Sequence, residues 1–185
     1  MIDEFLQDAR EHMDKSVEAT RTKFGSVRTG RASPTLLDRI VVDYYGTQTP
    51  LRQLSTIHAA EARLLTIQPY DKSSLKAIER AIRESDLGLN PSNDGQIIRL
   101  TIPELTEERR KDLVKVVRNL AEEGRVALRN IRRDVMQDLR ELRDSGEAGA
   151  DDEHRAEDAL QKVTDEKVKE LDALLKSKEE EILEV

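Results

Sequence analysis

The hydrophobic period of this chain changes twice, and that change narrows the folds open to it. From residue 2 to 28, seam side chains recur three or four positions apart: Ile2, Leu6, Ala9, Met13, Thr20, Phe24 and Val27, with Ser16 and Val17 near the position missing between Met13 and Thr20. This spacing returns to one helix face at every turn, so it predicts a helix with a seam for other helices. The string "RTGRASP" stops it, because Gly30 and Pro34 punctuate the chain and the proline biases Ser33 away from helix. Residues 35–102 have another composition. "RIVVDYY", "RLLTIQPY" and "QIIRLTI" are rich in β-branched and aromatic residues and predict strands, with "TQTPL" a short edge piece. "YGTQTP" and "NPSNDGQ" predict turns. Between them, residues 72–85 predict a helix: Leu75, Ile78 and Ile82 share a face, and Asp71 is placed to cap it.

Helical spacing resumes at Thr106, a good N-cap, followed by Glu107 and Glu108 at the positive end of the helix dipole. Leu113, Val117, Leu120, Ile131, Val135 and Leu142 make its expected seam. "DSGEAGADD" predicts a turn into a last helix carrying Leu160, Val163, Leu171, Leu174 and Ile182. The middle helix would span about 38 residues, about 57 Å. Charged helices of that length need partners to bury their seams. One helix precedes the strand-rich segment and two follow it. The expected fold is therefore α+β, mainly α. A long three-helix bundle (residues 1–30 and 104–185) is interrupted by a small inserted α+β domain (residues 31–103). The chain crosses between the two near residues 29–33 and 102–106, and two short neighbouring connections make a hinge.

Composition excludes several classes of function. The 185 residues include no Cys and no Trp, and aromatics make up 3%. Disulfides, thiolate chemistry and aromatic-lined pockets are ruled out or disfavoured. The N-terminus is acidic and amphipathic rather than a signal peptide, and no apolar run reaches the roughly 20 residues of a membrane span. A cytoplasmic location is the expectation. No Walker A, GxGxxG, GxSxG or HExxH string occurs, and His12, His58 and His154 are scattered. Asp151, Asp152, Glu153 and His154 are consecutive at a helix start and point different ways. No catalytic site, metal or cofactor is expected, and the chain is expected to be monomeric. Tyr44 and Tyr45 should face opposite sides of a strand, one in the core and one outside. Lys72, Lys76, Arg80 and Arg83 should form a solvated basic edge on the inserted helix.

Net charge is −7, but it is unevenly spread. Residues 146–185 carry −8, whereas residues 109–133 hold nine basic and three acidic side chains. At about 100° per residue, Arg118, Arg125, Arg129, Arg132, Arg140 and Arg143 fall within an arc of about 80°, over about 38 Å of helix. Arg133 lies beside it, and Glu122 and Met136 interrupt it. Such a face can be merely solvated. Two features favour a polyanion. No Lys occurs between residues 116 and 161, and Arg offers a planar fork matched to phosphate. The three- and four-residue neighbours of Arg125, Arg129 and Arg132 on that face are largely one another, a repulsion that a bound polyanion would relieve. Without aromatic platforms, the expected contacts are with phosphates and folded shape rather than splayed bases. Gly124, in mid-helix, predicts close helix packing.

Two stretches, "SVRTGRASPTLLDRIVVDYYGTQTPLRQLSTI" and "EERRKDLVKVVRNLAEEGRVALRNIRRD", resemble the bacterial ribosome recycling factor family, and the likeness extends over essentially the whole chain. The resemblance implies an L-shaped molecule in which a three-helix bundle and a β/α/β domain are joined by a two-strand hinge. It also implies a non-enzymatic translation factor that binds the 70S ribosome after termination. With elongation factor G and GTP, such a factor splits the subunits. Large-subunit ribosomal RNA would be contacted by Arg110, Arg129 and Arg132, with Arg125 and Arg133 next. Gly30, Arg31, Pro103 and Glu104 would fall in the hinge. From the residues alone, a helical adaptor and an enzyme on the inserted domain are the rival classes.

Overall fold

Residues Met1–Arg28 and Glu107–Glu184 form one unit, and Thr29–Thr106 a second. The computed structural model describes residues 1–184. In chain order the elements are α1 (Ile2–Gly25), β1 (Val41–Tyr44), β2 (Thr47–Pro50), the single-turn α2 (Leu51–Leu54), β3 (Ser55–Glu61), β4 (Leu64–Pro69), α3 (Leu75–Glu84), β5 (Pro91–Asn93), β6 (Ile98–Thr101), α4 (Glu107–Asp144) and α5 (Ala150–Leu183).

In the first unit, α1, α4 and α5 each pack on the other two. From α1, the buried side chains are Ala9, Met13, Val17, Thr20 and Phe24, members of the expected seam. The seam of α4 differs from the expected one. Leu113, Val117, Ala121, Gly124, Leu128, Leu139 and Leu142 are buried, while Leu120, Ile131 and Val135 are half-buried at its border. The buried set steps by four, four, three and four from Leu113 to Leu128, and the half-buried Ile131 and Val135 bridge the gap to Leu139 and Leu142; two of the seam positions are held by small residues, Ala121 and Gly124. Gly124 sits where three helices converge. A Cβ on Gly124 would lie 2.6 Å from Leu171 Cδ1 and 2.7 Å from Thr20 Oγ1. Close packing, and not a tolerated defect, accounts for this glycine.

Polar groups also enter the seam of α5. Leu160, Leu171 and Ile182 are buried as expected, Val163 and Leu174 only partly, and Ala156 with the polar Glu153, Thr164 and Lys167 occupies the remaining buried positions. Each polar group has a partner, as burial requires. Thr164 donates to Leu160 O at 2.8 Å, and Arg143 Nη1 donates to Glu153 Oε2 at 2.8 Å. Lys167 pairs with Asp14 and, at 3.3 Å, with Glu170. The Asp14 contact, with Glu170 behind it, raises the Lys167 pKa against the opposing effect of burial. α4 stops where Gly146 takes φ 81° and donates to Arg143 O, with Glu147 N bonding Leu142 O, a glycine-terminated helix end. The Asp152 carboxylate then accepts the Gly149 N–H at 3.4 Å and starts α5.

The second unit has six strands in two antiparallel sheets, more than a bare β/α/β pattern. β1 and β2 form a hairpin; the other sheet runs β3-β4-β6-β5. Its register brings Leu65 opposite Leu100 and Ile67 opposite Ile98, all four fully buried. The core joins them to Leu37, Val42, Leu51, Ile78 and Ile82. The predicted strands appear as β1, β2, β4 and β6. β3 and β5 were not predicted: β3 is an edge strand exposed from Ala59 onward, and β5 lies inside "NPSNDGQ", where only the following residues turn. The predicted helix begins with a 3-10 turn at Lys72–Ser74, capped by Asp71, whose carboxylate accepts Ser73 N at 2.9 Å.

A candidate nucleic-acid interface on α4

The long helix positions the arginines, and its neighbour α5 orients several of them. Arg125 donates through Nε (2.9 Å) and Nη2 (2.6 Å) to Asp172 Oδ1, and through Nη1 (3.1 Å) to Glu122 Oε2. Arg129 Nη2 donates to the other Glu122 oxygen at 3.0 Å. Arg132 Nη1 donates to Gln161 Oε1 at 2.8 Å, and Gln161 in turn donates to Asp165. Arg118 reaches Glu179 at 2.7 Å. Arg133 stands out in solvent, 3.8 Å from Asp134. Arg110 is half-buried in the first turn of α4, and its Nε is buried without a hydrogen-bond partner.

The five arginines singled out from the sequence thus all lie on α4. The expectation that they repel one another without relief is corrected. Glu122 neutralises two of them at once, and Asp172 and Glu179 cross from α5. The Glu122 pKa is lowered because Arg129 and then Arg125 donate to its carboxylate. Asp172, and secondarily Glu122, raise the already high pKa of Arg125. Glu122 could have been found from the sequence, three positions before Arg125; Asp172 could not, because only packing brings α5 beside α4.

A family model described as ribosome recycling factor matches residues 20–183. The chain belongs to the ribosome recycling factor family. It is 58% identical over 180 residues to the ribosome-recycling factor of Rubrobacter xylanophilus, covering 97% of each chain. It is 52% identical to that of Carboxydothermus hydrogenoformans and 54% to that of Mycobacterium marinum, each over the full length of both chains. Among solved structures it is similar to a ribosome recycling factor in solution (TM-score 0.79, 40% identity, covering 100% of this chain and 98% of that one). It is also similar to a chain in models of the T. thermophilus ribosome recycling factor and E. coli elongation factor G bound to the E. coli post-termination complex. There the TM-score is 0.67 and the identity 49%, with 99% of each chain covered.

The residues that family likeness places in the hinge lie together in the second unit. Gly30 takes φ 74°, and a Cβ on it would meet Leu105 Cγ at 3.0 Å. Ala32 N donates to Ala62 O at 2.7 Å, and Ile102 N to Arg63 O at 2.8 Å. Those two bonds tie both connections to the turn between β3 and β4. Arg63 also reaches Glu104 at 3.7 Å, while Arg31 and Pro103 are exposed. Tyr44 is half-buried and donates to Asp71 at 3.0 Å, whereas Tyr45 is exposed and its hydroxyl lies 2.9 Å from that of Ser73. They do not face opposite sides: Tyr45 has φ 50° and begins the hairpin turn, so the two rings meet edge-on at 4.6 Å. In the acidic start of α5, Glu153 turns inward to Arg143 and His154 outward to Asp158. Among the described residues, no helix is long and apolar enough to cross a membrane.

Proposed function

We propose that this member of the family is a translation factor that anchors to the post-termination 70S ribosome through the arginine face of α4. With elongation factor G and GTP, it splits the ribosome into subunits. Arg110, Arg125, Arg129, Arg132 and Arg133 meet large-subunit RNA phosphates in this reading. Gly30, Arg31, Pro103 and Glu104 form a hinge about which the inserted domain moves. The energy comes from the partner, for no nucleotide-binding string occurs in the chain. The observation that carries the reading is full-length family membership together with a helix face whose fixed cations from Arg118 to Arg143 are all arginines.

The first test is sedimentation with 70S ribosomes across a salt titration. Arg129→Ala or Arg132→Ala should weaken binding by about 1.5–3 kcal/mol, the worth of a charge-assisted bond. The dependence of log affinity on log salt should become shallower. Both side chains lie outside the buried seam, so thermal stability should be nearly unchanged. Wild-type affinity at every salt concentration would remove these arginines from the interface.

A further inference from the structure

We infer that Glu122 and Asp172 set which anions the arginine face accepts, favouring phosphates held in place by folded RNA over flexible polyanions. The inference rests on the reading of that face as an RNA surface. A guanidinium has five N–H groups. Three of those on Arg125 are engaged, leaving one on each Nη, and the two carboxylates fix where they point. Glu122 places one oxygen on Arg125 and the other on Arg129, so the two cations are held as a pair.

Arg125 is 24% exposed, so its ion pairs serve the fold, but the Glu122 and Asp172 side chains, 53% and 50% exposed, stay open to an approaching anion. Their effect falls on whatever approaches. A phosphate bonding to the remaining N–H groups of Arg125 comes within a few ångströms of both carboxylates, which repel it over distances shorter than the screening length. Folded RNA holds its phosphates in fixed positions and can meet the free N–H groups while standing off the carboxylates. A flexible strand must be ordered and also meets that repulsion. The difference between these two binding free energies is specificity. Arg133, 73% exposed and held only loosely by Asp134, lacks such a filter.

Asp172→Asn and Glu122→Gln remove the charge and keep an acceptor oxygen. Glu123→Gln makes the same change in net charge on α4, at a carboxylate paired with Lys23 at 3.9 Å, and serves as the control. Binding to a single-stranded uridine oligonucleotide is read by fluorescence anisotropy, and binding to 70S ribosomes by sedimentation. Each of the first two variants should bind the oligonucleotide about two- to fivefold tighter, with a steeper salt dependence. Ribosome affinity should change by less, so that the ratio between the two ligands falls. The inference is overturned if oligonucleotide affinity is unchanged, if both affinities rise alike, or if Glu123→Gln has the same effect. Arg125→Ala and Arg129→Ala separate the two levels of the argument. If both bind ribosomes as tightly as wild type, the RNA reading falls and this inference with it. If they weaken ribosome binding while the carboxylate variants change nothing, this inference alone falls.

Discussion

Gly124 carries opposing effects at a single residue. Replacing a mid-helix glycine with alanine favours helix by about 1 kcal/mol. Here the added methyl meets Leu171 Cδ1 and Thr20 Oγ1 at less than contact distance, from two other helices. Both neighbours are buried and cannot swing into solvent. Overpacking of that kind costs about 1–3 kcal/mol. Gly124→Ala should therefore lower the melting temperature by a few degrees, about 2–4 °C for each net kcal/mol at this chain length, measured by circular dichroism. A higher melting temperature would mean that the helices can separate without loss at this level. Glycine in mid-helix was visible in the sequence as an anomaly. Its reason became visible only with Thr20 and Leu171, which lie far from it along the chain.

Element by element, the sequence was legible where burial is one-sided and periodic. β4 and β6 alternate buried and exposed residues and were predicted; β3 is largely exposed at a sheet edge and offers no such period. β5 is short and was hidden by the turn chemistry that follows it. That turn makes its own prediction. Asp94 Oδ1 accepts the N–H of Gln96 and of Ile97 at 2.9 Å, and Arg99 Nη1 reaches Oδ2 at 3.0 Å. The Ile97 and Gln96 backbone bonds, then Arg99, lower its pKa to about 2. Because the folded value lies below the unfolded one, the contribution to stability is complete above the ordinary aspartate range. It is lost as pH falls through about 2. Asp94→Asn keeps an acceptor for both backbone N–H groups but cannot titrate. Its stability should fall less steeply than that of wild type between about pH 4 and about pH 2, followed by denaturant titration. Parallel acid limbs would show that Asp94 is no more acidic folded than unfolded.

For the whole molecule, the connections between the units allow a direct test of the proposed division of labour. Gly30 packs against Leu105, so the ends of the segment spanning residues 31–102 lie side by side. Replacing that segment with a short Gly/Ser linker adds little closure entropy. The seams of α1, α4 and α5 pack on one another. The shortened protein should be a helical monomer that competes with the full-length chain for ribosomes. It should not split them when elongation factor G and GTP are added. A folded bundle that fails in the displacement assay would show that anchorage depends on the inserted domain.

The sequence by itself determined the long helices, the strands β1, β2, β4 and β6 and the presence of arginines along one face of α4. All of these follow from local periodicity or composition, which each segment carries within itself. Tertiary structure decided which residues fill the closest approaches, as at Gly124, and which polar groups are buried, as at Glu153 and Lys167. It also decided the electrostatic state of the arginine face. An arginine's neighbours on its own helix can be counted along the chain. The carboxylates of Asp172 and Glu179 arrive from another helix, and hydrophobic seams far from the charges put them there.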